Sequence, residues 1–401
     1  MTGVPDATPP RATAPQERPG SAWEVLGVAL KLGLTSFGGP NAHAGYFHAE
    51  YVVRRRWLSD ELFAELLAIS QALPGPSSSQ LGAAIGFCRS RTRGAVAAWL
   101  GFTLPSAILM IGFAWFAYGR DLRGAVWLHA LGLVAVAVVL DAVLSLGRRL
   151  ASTWPTAAAA VGAAVAVLLI PSPVTQVAVL LVAAAIGAVF RRRTITAAML
   201  STLPAVTRRA GRLCLAAFVL GLVLLAALAN TSPLANLAQA MYRSGTLVFG
   251  GGHVVLPLLQ ASTVPNLVSE QQFLTGYGAA QAIPGPLFTF SAFLGQSSTG
   301  PVGAIVAVVA IFAPGMLLLF GLLPYWTRIR TAPTVHAGLV MVNGAVVGLL
   351  AAAWYDPIIV SSVHAPLDVA FAAALFLFLR LRVPPWAVVV GAIAASPLLG
   401  W

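Results

Sequence analysis

Pro74-Gly75-Pro76 is followed at once by Ser77, Ser78 and Ser79 and preceded by Gln71, while Pro284-Gly285-Pro286 is preceded by Gln281 and followed by Thr289, in register with Ser79. A helix restarting after such a break presents backbone N–H groups without intrahelical partners and the positive end of its dipole. Together these make an anion site. Proline in the first turn costs no hydrogen bond there, and the hydroxyls add donors. Pro-Gly-Pro alone is equally a plain helix terminator; duplication in register, with Gln and hydroxyls at both copies, favours the site. A second kind of break, Phe37-Gly38-Gly39-Pro40 followed by His43, recurs as Phe249-Gly250-Gly251 followed by His253. Each histidine could donate a hydrogen bond or titrate, and singly each is as well a satisfied structural residue. Lys31 and Arg243 stand six residues before Phe37 and Phe249 respectively. A cation within an apolar arm costs at least ~2.5–3.5 kcal/mol on insertion scales. Snorkelling to the interface is the ordinary remedy, but the pairing of the two positions favours convergence on a bound anion.

Apolar helices must position these residues. Of 401 residues, 58% are hydrophobic and 9% charged, and the mean hydropathy is +0.85; soluble domains carry about 25% charged residues. Apolar stretches long enough to span a bilayer recur from residue 94 onward, and the short alternating segments of a transmembrane barrel are missing. The net charge of +12 comes from 23 arginines and one lysine, mostly clustered between apolar stretches. That pattern belongs to topology-setting loops rather than to a nucleic-acid surface. Cys88 and Cys214 form no CxxC pair, so neither a disulfide framework nor a zinc site is expected. Residues 1–22 read as a disordered tail, not a signal peptide.

The chain is also duplicated. Phe37-Gly38-Gly39 matches Phe249-Gly250-Gly251 at an offset of 212, and at 210 His43 matches His253, Leu58-Ser59-Asp60 matches Val268-Ser269-Glu270, and Gln71–Pro76 matches Gln281–Pro286. Gly94-Ala95 and Pro105 then match Gly303-Ala304 and Pro314 at 209. Two homologous halves follow, 23–193 and 234–401, joined by a basic linker with one apolar span, 194–233. In the first half Arg54–Arg56 and Arg89, Arg91 and Arg93 follow the breaks, whereas the equivalent 256–272 and 296–303 contain no Arg or Lys. The positive-inside rule places the first set in the cytoplasm and the second outside. One span in the linker inverts the second copy. The expected fold is therefore an all-α polytopic membrane protein, an inverted repeat with broken, re-entrant helices. The arms flanking Pro-Gly-Pro, Leu62–Leu73 and Ser77–Cys88, are each too short to cross a ~30 Å core. Trp23–Phe37 and Asn41–Val53 form the other candidate hairpin. Full spans are expected at about 94–118, 124–148, 154–170, 174–190, 213–229, 302–324, 333–353, 357–379 and 384–400. Arg120 and Arg123 fall outside against the rule. Among intramembrane acids, Glu65 and Asp141 could relay protons or pair with arginine; pairing is favoured.

The segments "FGGPNAH", "RRRWLSDELF", "QALPGPSSSQLG", "FGGGHVVLP" and "GYGAAQAIPGPLFTFSAFLG" resemble the chromate ion transporters of bacteria, over essentially the whole chain after residue 22. The two-half arrangement resembles the long-chain members; short-chain members encode the halves separately. The resemblance implies export of chromate across the bacterial inner membrane and chromate resistance, with sulfate as an isosteric competitor or alternative substrate. It carries Lys31, Phe37, Gly38, Gly39, Pro40, His43, Pro74, Gly75 and Pro76 onto matching positions. The second half departs from the first at Gly252, in place of Pro40, and at Leu287 and Phe288, in place of Ser77 and Ser78, so equal contributions of the halves are in doubt.

No P-loop is present, so transport would draw on a gradient or on membrane potential. An intramembrane enzyme acting on lipid phosphates would need a nucleophile–base pair or a metal cluster, and neither has recognisable spacing. A passive channel is the remaining alternative. No cofactor, metal or nucleic acid is expected; the partners are the oxyanion, the bilayer and, as an option, a second copy in a homodimer.

Overall fold

The computed structural model describes residues 20–37, 39–117, 126–190, 206–249, 255–330 and 332–399. Among these there is no strand. The first half comprises α1 (Ala22–Thr35), α2 (Gly39–Phe47, running on into a π-helical turn, His48–Arg54), α3 (Asp60–Ala72), α4 (Ser77–Ala117), α5 (Val126–Leu150), α6 (Trp154–Leu169) and α7 (Pro173–Phe190). The linker supplies α8 (Arg208–Leu228). The second half comprises α9 (Pro233–Leu247), α10 (Val255–Thr263), α11 (Glu270–Ala282), α12 (Phe290–Leu322), α13 (Trp326–Arg330), α14 (Pro333–Ala353), α15 (Val360–Ser362), α16 (Pro366–Arg380) and α17 (Pro385–Ala395).

The duplicated Leu-Ser-Asp and Val-Ser-Glu triplets are helix starts. The Ser59 hydroxyl accepts from the Leu62 N–H at the head of α3, and Ser269 accepts from the Gln272 N–H at the head of α11. Two long helices are not single rods. In α4, Ser90 (φ −147°, ψ 34°) and Arg91 (φ 51°, ψ −145°) leave helical geometry, and in α12 Gly300 does so at φ 76°. On either side of each bend two glycines meet backbone to backbone, Gly86 with Gly94 and Gly295 with Gly303. Each long helix is therefore a tight hairpin whose second arm is the membrane span expected at 94–118 or 302–324.

The same contacts show where the broken segments begin and end. Glu24, in the first turn of α1, accepts from Arg89 at 3.2 Å and lies 3.8 Å from Arg55. Both guanidiniums sit over the Trp57 ring, 5.6 Å (Arg55) and 5.1 Å (Arg89) from its centroid. The start of α1, the end of the α2 turn and the end of the first α4 arm thus meet on one side. α1 spans only about 21 Å at 1.5 Å per residue, so the chain enters, breaks and returns twice.

The halves interleave. α5 lies against α16 and α17 of the other half, and α14 lies reciprocally against α6 and α7. α1 packs on α4 with Gly33 at the Gly101 and Phe102 carbonyls, and α9 packs on α12 with Gly245 at the Ile311 carbonyl. Among the described residues five helices are long and apolar enough to cross a membrane, and this is a multi-pass membrane protein. Two expected spans differ from the structure. The segment 357–379 is interrupted by a π-helical turn with Asp356 out of helical geometry and by a second break before Pro366, so that only α16 continues. The last span, 384–400, keeps its helix only to Ala395 and then tightens into a 3-10 turn, Ser396–Leu399. Asp141 pairs with Arg380 at 3.2 Å, and Glu65 accepts from the Trp326 indole N–H at 2.9 Å.

Candidate functional site

The four breaks meet in two crossed pairs between the halves. The Gly75 N–H donates to the Val248 carbonyl at 2.7 Å, and the Gly285 N–H donates to the Ser36 carbonyl at 2.8 Å. Val248 and Ser36 are the residues that end α9 and α1, so each Pro-Gly-Pro tip is closed by the Phe-Gly-Gly break of the opposite half. Both glycines take positive φ, and a Cβ would fall 2.8 Å from the Gly315 Cα at Gly75 and 2.9 Å from the Ser106 Oγ at Gly285. Ser106 and Gly315 follow Pro105 and Pro314, the prolines already in register in the sequence. Non-helical backbone at this depth is tolerated only inside protein or along a polar cavity.

The two tips differ in chemistry. In the first half α4 starts directly at Ser77, and three serines follow the break. His43 is almost fully buried, and its Nδ1 lies 3.0 Å from the Ser78 hydroxyl, while its Nε2 has no hydrogen-bond partner. Its ring meets Phe102 edge-on, with the centroids 5.2 Å apart. The hydroxyls of Ser36, Ser79 and Thr103 are likewise buried and unpartnered. Gln80 spans the junction, donating to the Pro74 carbonyl at 3.0 Å and to the Gly315 carbonyl at 2.8 Å, with its Oε1 left over. In the second half a 3-10 turn, Leu287–Thr289, ties the Thr289 N–H to the Pro286 carbonyl and the Phe290 N–H to Leu287, whereas in the first half the N–H in register with Phe290, that of Gln80, donates to the Pro76 carbonyl at 2.9 Å. The Thr289 hydroxyl is spent on the Pro286 carbonyl at 2.8 Å. Phe288 and Phe290 are buried where the first half has Ser78 and Gln80. Gln281 and Ser291 retain unpartnered polar atoms there. Buried polar groups are almost always hydrogen-bonded, so these orphans make the tips the candidate place for a polar ligand.

Of the residues singled out in the sequence, Gly75, Gly285, Pro74, Pro76, Pro284, Pro286, Ser77, Ser78, Ser79, Thr289, Gln281 and His43 sit at or beside these tips. Gly39 opens α2 at positive φ, carrying Pro40 in its first turn, and Phe37 lies beside the break with its ring 6.1 Å from that of Trp386. Gln71, by contrast, is exposed. Gly38, Gly250, Gly251 and His253 lie outside the described residues. The two cations part company. The Lys31 ammonium is half exposed and pairs with Glu50 at 3.4 Å, in a cluster where Arg54 and Arg55 also hold that carboxylate. In this structure a carboxylate therefore answers the Lys31 charge, and the two cations are not seen converging on one place. Arg243 instead donates to the Ser262 hydroxyl at 3.0 Å. Each pair is nineteen residues apart, so Ser262 stands where the first half has Glu50. Among the described residues Arg243 has no carboxylate within ion-pair distance. Ser36, Gln80 and Thr103 were not singled out from the sequence. Gln80 directly follows the serine run, but the others carry no local signal, since only packing shows that their hydroxyls are orphaned.

A separate cavity of about 580 Å³ lies between α4, α8 and α12, lined by Phe87, Trp99, Met316 and Phe320 with Arg91 at its edge. Its apolar walls do not suit an oxyanion.

The chromate transporter family profile matches residues 23–188 and 235–396, one match per half. The chromate transport protein of Pseudomonas aeruginosa is 31% identical over 359 residues, covering 88% of this chain and 82% of that protein. The chromate transport protein of Cupriavidus metallidurans is 28% identical over 338 residues, covering 81% and 79%. An uncharacterized transporter of Methanocaldococcus jannaschii is 27% identical over 341 residues, 83% of each chain. No solved structure matches the chain. With both halves matched in register and the relatives aligned over most of their length, this chain belongs to the chromate transporter family.

Proposed function

We propose that this protein is a secondary transporter that exports chromate across the bacterial inner membrane, holding the dianion where the four breaks meet. The reciprocal closure of each Pro-Gly-Pro tip by the opposite half carries this reading. Any rocking of one half against the other must remake hydrogen bonds at the binding place itself, which is what alternating access about a central site requires. The open N-terminus of α4, the unpartnered His43 Nε2 and the orphan serines supply donors to a tetrahedral oxyanion. Arg243, which no described carboxylate answers, supplies the charge. The two halves contribute unequally: the first supplies most of the hydrogen bonds, and the second the cation and an aromatic wall. An inside-negative potential is worth ~2.3 kcal/mol per elementary charge per 100 mV, so outward movement of an uncompensated dianion is favoured without nucleotide hydrolysis.

The test is chromate uptake into everted membrane vesicles energised by respiration, with matched protein levels and with excess sulfate added in parallel. Accumulation that a protonophore abolishes supports an energised exporter. Accumulation that the excess sulfate abolishes favours sulfate or a general oxyanion as the substrate. No accumulation by the wild type overturns the proposal.

A further inference from the structure

Away from the crossing, three metal-ligating side chains distant in sequence come together. His129 stands near the start of α5, His364 in the turn before α16, and Asp368 in the first turn of α16. One ligand atom from each lies within 4.8 Å of the other two. The His129 Nε2 is 2.9 Å from Asp368 Oδ1, and Asp368 Oδ2 accepts from the His364 and Ala365 backbone N–H groups at 2.8 Å and 2.9 Å. Asp368 is 1% exposed, His129 is partly buried and His364 is exposed.

We propose that His129, His364 and Asp368 form a binding site for a divalent first-row transition-metal ion, of which Zn2+ is the natural probe. Two imidazoles and one carboxylate are the donors such ions take, and three protein ligands leave a position for water on the exposed side. The carboxylate is already oriented: backbone donors hold Oδ2 while Oδ1 faces the His129 ring, and such outer partners are how protein metal sites aim their ligands. In a tetrahedral site with bonds of ~2.0–2.2 Å the donor atoms stand ~3.5 Å apart, and the exposed His364 ring is the one that closes the remaining distance.

The place of the site gives it a consequence. α5 belongs to the first half and α16 to the second, and the two run parallel. His129 meets Asp368, and twelve residues further along both helices Asp141 meets Arg380. The site lies at the end of this contact away from Arg148 and Arg149, the side read as external from the charges. A metal there would tie one half to the other at the outer face and slow their relative movement.

The experiment is equilibrium dialysis of the purified full-length protein, stripped of metal, against Zn2+ alone, with Mg2+ as a comparison. The variants are His364→Ala, His129→Gln and, as a control on the other histidine–carboxylate pair, His48→Ala. One saturable Zn2+ site is expected in the wild type and in His48→Ala. Both ligand variants should lose affinity by at least the ~10–100-fold that removing an orienting partner costs. His364 is exposed, so its variant does not depend on a tolerant core. The thermal midpoint should rise with Zn2+ in the wild type and not in His364→Ala. Equal Zn2+ binding by wild type and both ligand variants, or no saturable binding by the wild type, overturns the proposal. Because the readout is metal and not chromate, this result is independent of whether the transport reading holds.

Discussion

At Gly75 the backbone takes φ +119° and at Gly285 +102°, angles that a residue with a Cβ rarely adopts. Alanine at either position adds about 1–3 kcal/mol of backbone strain and a steric contact with the other half. Gly75→Ala and Gly285→Ala should therefore reach the membrane in reduced amounts and lose chromate uptake per molecule; normal uptake would show that the tips can move apart at no cost. The cations give a sharper comparison. Arg243→Ala removes the cation that no described carboxylate answers, and a hydrogen bond to a charged group is worth ~1.5–3 kcal/mol. Chromate affinity should fall by roughly ten- to a hundredfold. Lys31→Ala, which removes one of three cations around Glu50, should leave affinity within about threefold. Equal losses would put Lys31 back in the anion path. Sequence alone could pair Lys31 with Arg243 because both keep their distance from the glycines. It could not show that Glu50 in one half and its counterpart Ser262 in the other are the groups the cations meet, because those side chains come together only after the arms fold back.

At the scale of elements, the helix breaks and starts were legible because they are written in residues with backbone consequences. Ser59 and Ser269 cap, the Pro-Gly-Pro triplets stop and restart, and Pro105 and Pro314 mark where the spans pass the tips. The bends at Ser90-Arg91 and Gly300 follow from glycine pairs that let two arms touch, a signal that needs the partner arm to be seen. The span at 357–379 was misjudged because hydropathy does not register the hydrogen bonds that Pro357 and Pro366 cannot donate. Gln80 is the element-level joint, holding the Pro74 carbonyl of its own tip and the Gly315 carbonyl of α12. Gln80→Leu removes two hydrogen bonds, one part-buried and one buried, each worth ~0.5–1.5 kcal/mol net. The variant should unfold at a lower temperature in detergent than the wild type, by several degrees; an unchanged midpoint would mean that water replaces the amide there.

For the whole molecule, the inversion of the halves was readable from charge asymmetry, and the re-entrant geometry is supported by the ring of contacts around Glu24. What no linear pattern could supply is the interleaving of α5 with α16 and of α14 with α6, since each pair joins segments from different halves. The orientation makes a direct prediction. In a background with Cys88 and Cys214 replaced, a cysteine introduced at Arg56 should react with a membrane-impermeant thiol reagent only in everted vesicles. One introduced at Asn266 should react only in intact spheroplasts. The same labelling side for both would abolish the inverted arrangement and with it the alternating-access reading.

The mutual closure of the tips also bears on how the protein is made. As the first half leaves the ribosome, the Gly75 amide sits at a helix break in the bilayer, and the Val248 carbonyl that will accept its hydrogen bond has not been synthesised. At ~5–20 residues per second, that acceptor arrives on the order of ten seconds later, and the Gly285 amide that serves the Ser36 carbonyl follows it. Throughout that interval the nascent first half carries unsatisfied backbone groups in an apolar medium. It must wait at the insertion machinery, or against a membrane chaperone, until its counterpart emerges.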